Sequence, residues 1–133
     1  MSYCGPMILA EELGRPLTFG EGESWNPKEM VQSIKKMGYN TWIETWADLD
    51  GLSELVRGPN YKVFLLWWSY MAPGESEGHW VSLLDANGMS VHINDPDLEG
   101  SRLIPRAVFE AHWFDRDDER DWPRTAVVVE MKQ

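Results

Sequence analysis

Apolar residues recur at helical spacing in the first part of the chain and at strand spacing in the later part. Ile8, Leu9 and Leu13 share one side of a helix that Pro6 opens and that ends before Gly14. Residues 16–25 read as a loop. Met30, Val31, Ile34 and Met37 repeat at helical spacing behind Asn26-Pro27, a cap residue followed by proline at the first helical position. Gly38 stops that helix. Tyr39 to Thr45 alternates and is rich in β formers, which predicts a short strand. Asp48 caps a third helix with Leu49, Leu52, Leu55 and Val56 on one side, and Gly58-Pro59 ends it. Val63 to Trp68 is a continuous apolar run, the pattern of a strand buried on both faces. Residues 71–78 form a Pro/Gly/Glu/Ser loop. His79 to Leu84 and Ser90 to Asn94 read as a hairpin. Pro105 opens a last helix reaching about Trp113, residues 115–121 are an acidic solvated stretch, and Thr125 to Val129 is a closing strand. Helices come first and a β-rich half follows, so the class is α+β, in one domain covering all 133 residues.

The hairpin carries the sharpest expectation. Asn87-Gly88 marks its turn, and two loop lengths are plausible. A two-residue loop would set Val81 opposite Asn94 and Leu83 opposite His92, mixing apolar with polar. A three-residue loop, with Gly88 in the left-handed position, sets Leu83 opposite Val91 and Val81 opposite Ile93, so one face becomes wholly apolar. Two residues further out, that register puts His79 directly opposite Asp95. A carboxylate there would orient the imidazole and stabilise its cation.

Composition narrows the chemistry. Twenty-two Asp and Glu against 12 Lys and Arg leave a net charge of −10, and the longest basic run is Lys35-Lys36. Backbone-directed binding of nucleic acid or of an anionic membrane needs a basic footprint that this chain lacks. A single cysteine, Cys4, excludes an intramolecular disulfide framework and a thiolate-rich zinc site. His79, His92 and His112 lack ligand spacing, and His92 falls on the face opposite His79, so no metal and no cofactor is expected. Residues 115–121 lack the glycine and terminal glutamate of a calcium loop. The N-terminus has no basic region followed by an apolar run, and the longest apolar run is far short of a membrane span. The expected address is the cytoplasm, where a lone thiol stays reduced. Eight tryptophans are many for this length. Trp67 or Trp68 is expected in the core, and Trp80 under the last helix.

Cys4 stands before Gly5-Pro6 at a helix start, where free N–H groups and the macrodipole favour the thiolate. Together with His79 and Asp95 it supplies a nucleophile, a base and an orienting acid. These residues carry a resemblance. Cys4-Gly5-Pro6 followed by a helix resembles the nucleophile segment of papain-like cysteine peptidases, and more closely the bacteriocin-processing branch that cleaves double-glycine leaders. Gly78-His79-Trp80-Val81, then Ile93-Asn94-Asp95-Pro96, then the helix from Pro105 follow in that branch's order. The resemblance implies N-terminal helices packed on a C-terminal antiparallel sheet. It implies Cys4 as nucleophile, His79 as general base and then acid, and Asp95 as the orienting carboxylate. The backbone N–H of Cys4 would donate to the oxyanion. Gly5 and Gly78 would border the substrate.

In one respect this chain departs from the pattern. The branch places a glutamine a few residues upstream of the cysteine to complete the oxyanion hole. Neither Gln32 nor Gln133 precedes Cys4. Loss of one such donor costs about 3 kcal/mol of transition-state stabilisation. Two readings are open. In one, Ser2 or a loop side chain substitutes and the chain is a thiol hydrolase or acyl-transfer enzyme acting on a peptide or protein amide. In the other, the same fold binds a peptide or protein without turnover. The net charge, with Glu75 and Glu77 just before His79, favours a neutral or basic peptide as the partner in either case.

Overall fold

The computed structural model describes residues 9, 12–14, 26–67, 79–95, 100–116 and 120–131. Helical residues Leu9, Glu12 and Leu13 come first. They are followed by α1 (Pro27–Lys36), β1 (Asn40–Glu44), α2 (Leu49–Arg57), β2 (Tyr61–Trp67), β3 (His79–Ala86), β4 (Ser90–Asn94) and β5 (Ser101–Pro105). Then come α3 (Arg106–Ala111), β6 (Phe114–Arg116), β7 (Asp121–Pro123) and β8 (Ala126–Glu130). One antiparallel sheet has the order β1-β8-β2-β3-β4-β5, and β6 pairs with β7 in a second, two-stranded sheet.

Local chemistry explains the helix boundaries. Asn26 accepts from the Glu29 N–H at 2.9 Å while Glu29 accepts from the Asn26 N–H at 3.1 Å, closing a reciprocal cap on α1. The Asp48 carboxylate accepts from the N–H groups of Asp50 and Gly51 at the start of α2. Each such cap stabilises its helix by about 1 kcal/mol.

Two apolar clusters lie on opposite faces of the sheet, as strand alternation requires. Val63, Leu65 and Trp67 of β2, with Val81, Leu83, Val91, Ile93 and Val128, pack against Leu49 and Leu52 of α2 and against Phe109 and Trp113. Phe64 and Leu66 of β2, with Trp80, Val127 and Val129, pack against Leu9, against Met30 and Ile34 of α1, and against Trp122. Both faces of β2 are therefore covered, which accounts for its unbroken apolar run. Trp67 is fully buried, as expected; Trp68 lies outside the described residues. Trp80 is buried on the α1 side, not under the last helix, because α3 packs on the other face.

Several elements differ from expectation. Pro105 ends β5 and caps α3, which stops at Ala111 rather than near Trp113. Ser101–Pro105 forms a strand that the pattern did not predict, with Ile104 as its buried residue. Part of the expected acidic solvated stretch is strand: β6 and β7 pair there, and Trp122, which follows Asp121 and pairs with Asp115, is buried.

The hairpin register also differs. Ala86 pairs with Val91 and Asp85 with His92, but Leu83 pairs with Ile93 and Ser82 with Asn94. A bulge between Leu83 and Asp85 absorbs the change. Gly88 does not take a left-handed conformation. Instead the Asn87 side chain accepts from the N–H groups of Met89 at 2.8 Å and Ser90 at 2.9 Å and shapes the turn itself.

Candidate active site

The sheet brings two of the three expected triad positions to one end. His79 is the first residue of β3 and pairs with Trp67, the last residue of β2. Asp95 follows Asn94, the last residue of β4. Extending the outer register by one residue sets Asp95 across from Val81, not His79 as expected. The displacement is two residues, an even number, so the alternation is preserved. Positions 79 and 95 still fall on the face of Val81 and Ile93. They become diagonal neighbours, for which typical separations are about 7–8 Å.

Asp95 is 2% exposed. Burying a carboxylate is costly unless it is held by partners, so such groups concentrate where chemistry or specificity requires them. Asp95 is engaged rather than free.

Beneath this end of the sheet lies a row of aromatic rings. Trp67 stacks on Phe109 with centroids 5.2 Å apart and planes at 18°. Phe109 meets Trp113 at 5.7 Å. The Trp113 Nε1 donates to the Thr125 carbonyl at 3.0 Å, which ties the chain just past α3 to the start of β8. These rings give the strand end a rigid footing from which small polar groups can be aimed.

Cys4, Ser2, Gly5 and Gly78 lie outside the described residues, as do Glu75 and Glu77. Leu9, five positions after Cys4 in the sequence, packs on the face of the sheet opposite Val81 and Ile93. Among the described residues no three His, Cys, Asp or Glu cluster as metal ligands do, and no helix is long and apolar enough to cross a membrane.

No protein-family model matches the chain, and no curated protein matches it in sequence. Solved structures match it throughout. The peptidase domain of Streptococcus ComA, a bifunctional ABC transporter involved in a quorum-sensing pathway, superposes with a TM-score of 0.64 at 16% identity. That match covers 98% of this chain and 92% of the domain. The chain has the fold of these peptidase domains. The Streptococcus mutans ComA peptidase domain, solved with a small-molecule inhibitor, matches at TM-score 0.62 and 19% identity, covering 95% of this chain and 89% of the other. A C39-like peptidase structure from Bacillus anthracis matches at 0.62 and 19% identity over 88% of this chain, which spans 65% of that longer protein. The α+β, papain-like architecture expected from the resemblance is the one these structures share.

Asn87, Arg106 and the Trp67–Phe109–Trp113 row escaped the sequence reading. Asn87 was legible as a turn former but not as the side chain that sets the turn. The aromatic row depends on α3 folding under β2, and no local pattern signals that.

Proposed function

We propose that this chain is a thiol-dependent hydrolase or acyl-transfer enzyme acting on a peptide or protein amide, with Cys4, His79 and Asp95 as its triad. The observation that carries the reading is the buried Asp95 on the same sheet end and face as position 79, in a fold shared with peptidase domains. Cys4 attacks the amide carbonyl as its proton passes to His79. The tetrahedral intermediate collapses, His79 protonates the departing amine, and an acyl-enzyme remains for water or a second amine to resolve. Asp95 fixes the tautomer and orientation of His79 and stabilises its cation. The Cys4 N–H supplies one oxyanion donor and Ser2 a second, with Gly5 and Gly78 beside the substrate. Because Leu9 packs on the opposite face, the thiol on this reading approaches round the end of β3 rather than across a face of the sheet. The net charge of −10 favours a neutral or basic peptide, and the lone thiol a reducing compartment such as the cytoplasm.

The alternative is a module that holds a peptide without turnover. The net charge of −10, which suits a basic partner held by charge, favours it. A panel of neutral and basic peptides followed by mass spectrometry separates the two readings. Catalysis predicts cleavage or acyl transfer by the wild type and none by Cys4→Ala. Binding without products, or products that persist in Cys4→Ala, would overturn it.

A further inference from the structure

Strand β2 pairs with β8 from Tyr61 to Leu65, but with β3 only from Phe64 to Trp67. The β2–β3 pairing stops at Ser82, where β3 enters the bulge between Leu83 and Asp85. A cavity of about 300 Å³ opens between them, toward the turn end of the hairpin. Its apolar wall includes Leu83, Leu84 and Met131, and its polar wall includes Glu12, Lys62 and Ser82.

We propose that this cavity binds a small zwitterion with an aliphatic side chain, of the class of a free α-amino acid. Two observations carry the proposal. The Lys62 Nζ lies 3.1 Å from the Glu12 Oε2, with the two side chains 34% and 15% exposed. Opposite charges therefore stand side by side at the cavity. The ammonium and carboxylate of an amino acid are spaced to meet both at once, whereas a simple anion or cation meets one partner and is repelled by the other. The second observation is Ser82. The residue is 3% exposed and lines the cavity. Its hydroxyl can donate to a ligand carboxylate there. The leucines and Met131 select an aliphatic side chain over a polar one. The volume sits at the lower end of ligand cavities, roughly 300–1,000 Å³, which limits the ligand to a single residue or a very short peptide.

The cavity shares no residue with the candidate triad, so its test is independent of thiol chemistry. L-leucine is titrated into the whole chain and followed by calorimetry and by amide chemical shifts. N-acetyl-leucine, which keeps only the carboxylate, and leucinamide, which keeps only the ammonium, serve as comparisons. Saturable leucine binding is expected, at least tenfold tighter than either analogue, with shifts centred on Lys62, Ser82 and Leu84. Ser82→Ala should weaken it several-fold. Leu84→Trp fills the cavity from a partly exposed position and should abolish it, with near-ultraviolet circular dichroism confirming that both variants fold. Cys4→Ala should bind leucine as the wild type does. No leucine binding at millimolar concentration, equal binding of the analogues, or full binding by folded Leu84→Trp would overturn the proposal.

Discussion

The two ends of the β3–β4 hairpin solve different problems. At the turn end, polar groups are exposed and amply bonded. Arg106 Nη1 donates to the Asn87 carbonyl at 2.9 Å and to Asp50 at 2.7 Å, while its backbone N–H donates to Met89. Arg57 bonds Asp85 and the Ala86 carbonyl in the same way. Two arginines thus lock the turn to α2 and α3. At the open end the arrangement is reversed: a carboxylate is buried, histidine begins a strand, and rigidity comes from stacked aromatic rings below. Stable folds rarely bury a carboxylate for stability alone, since an apolar residue of similar shape serves as well. On the proposed reading the turn end serves architecture and the open end serves chemistry.

Substitutions at each end should therefore separate stability from activity. The largest effect is expected at Asp95. Asp95→Asn keeps the shape but favours the wrong histidine tautomer, and kcat/KM should fall on the order of 10⁴-fold. The pH profile of the residual rate should shift with it, a change that loss of stability alone would not produce. Phe109→Ala comes next, because it removes the middle ring of the aromatic row. A cost of about 3–5 kcal/mol is expected in denaturant unfolding, and activity should recover at temperatures where the variant stays folded. Asn87→Ala removes three turn hydrogen bonds, from the Met89 and Ser90 N–H groups and the Ser90 hydroxyl. It should cost about 1–2 kcal/mol and leave kcat/KM unchanged. A loss of activity at Asn87 without a loss at Asp95 would invert the assignment of the two ends.

The smallest effect concerns pH. Hydrogen bonding to the Arg106 guanidinium, and then its charge, hold the Asp50 carboxyl below its ordinary value of 3.8. A lowered native value means that the pair stabilises the fold fully above about pH 4 and that this contribution fades as pH falls through the native value. Asp50 is well exposed, so the effect is small. The stability difference between wild type and Asp50→Asn should be constant from neutral pH to about pH 4 and shrink below it.

Much of this fold was legible where local chemistry decides it. Asn26-Pro27 and Asp48 announced their helices through caps, and the unbroken run in β2 announced burial on both faces. The hairpin shows where such reading stops. Alternation of apolar and polar residues fixes which face a side chain takes, but any even shift of register preserves the pattern. The bulge near Leu84 used that freedom. The faces of positions 79 and 95 were therefore readable and their direct opposition was not. Ser101–Pro105 was missed because Ile104 is its one buried residue, too little periodicity to mark a strand. Trp80 was assigned to the wrong helix because alternation names a face but not the element that covers it. Of the candidate site, the positions at the strand ends were legible, whereas the aromatic row beneath them depends on long-range packing.

On the proposed reading Cys4 is a nucleophile activated by His79. That reading is tested most directly by the rate at which iodoacetamide alkylates Cys4 across pH, in the wild type and in His79→Ala. Alkylation near neutral pH should be faster than that of a model thiol and fall to the model rate in folded His79→Ala. Alkylation no faster than the model thiol, and unchanged by His79→Ala, would contradict it.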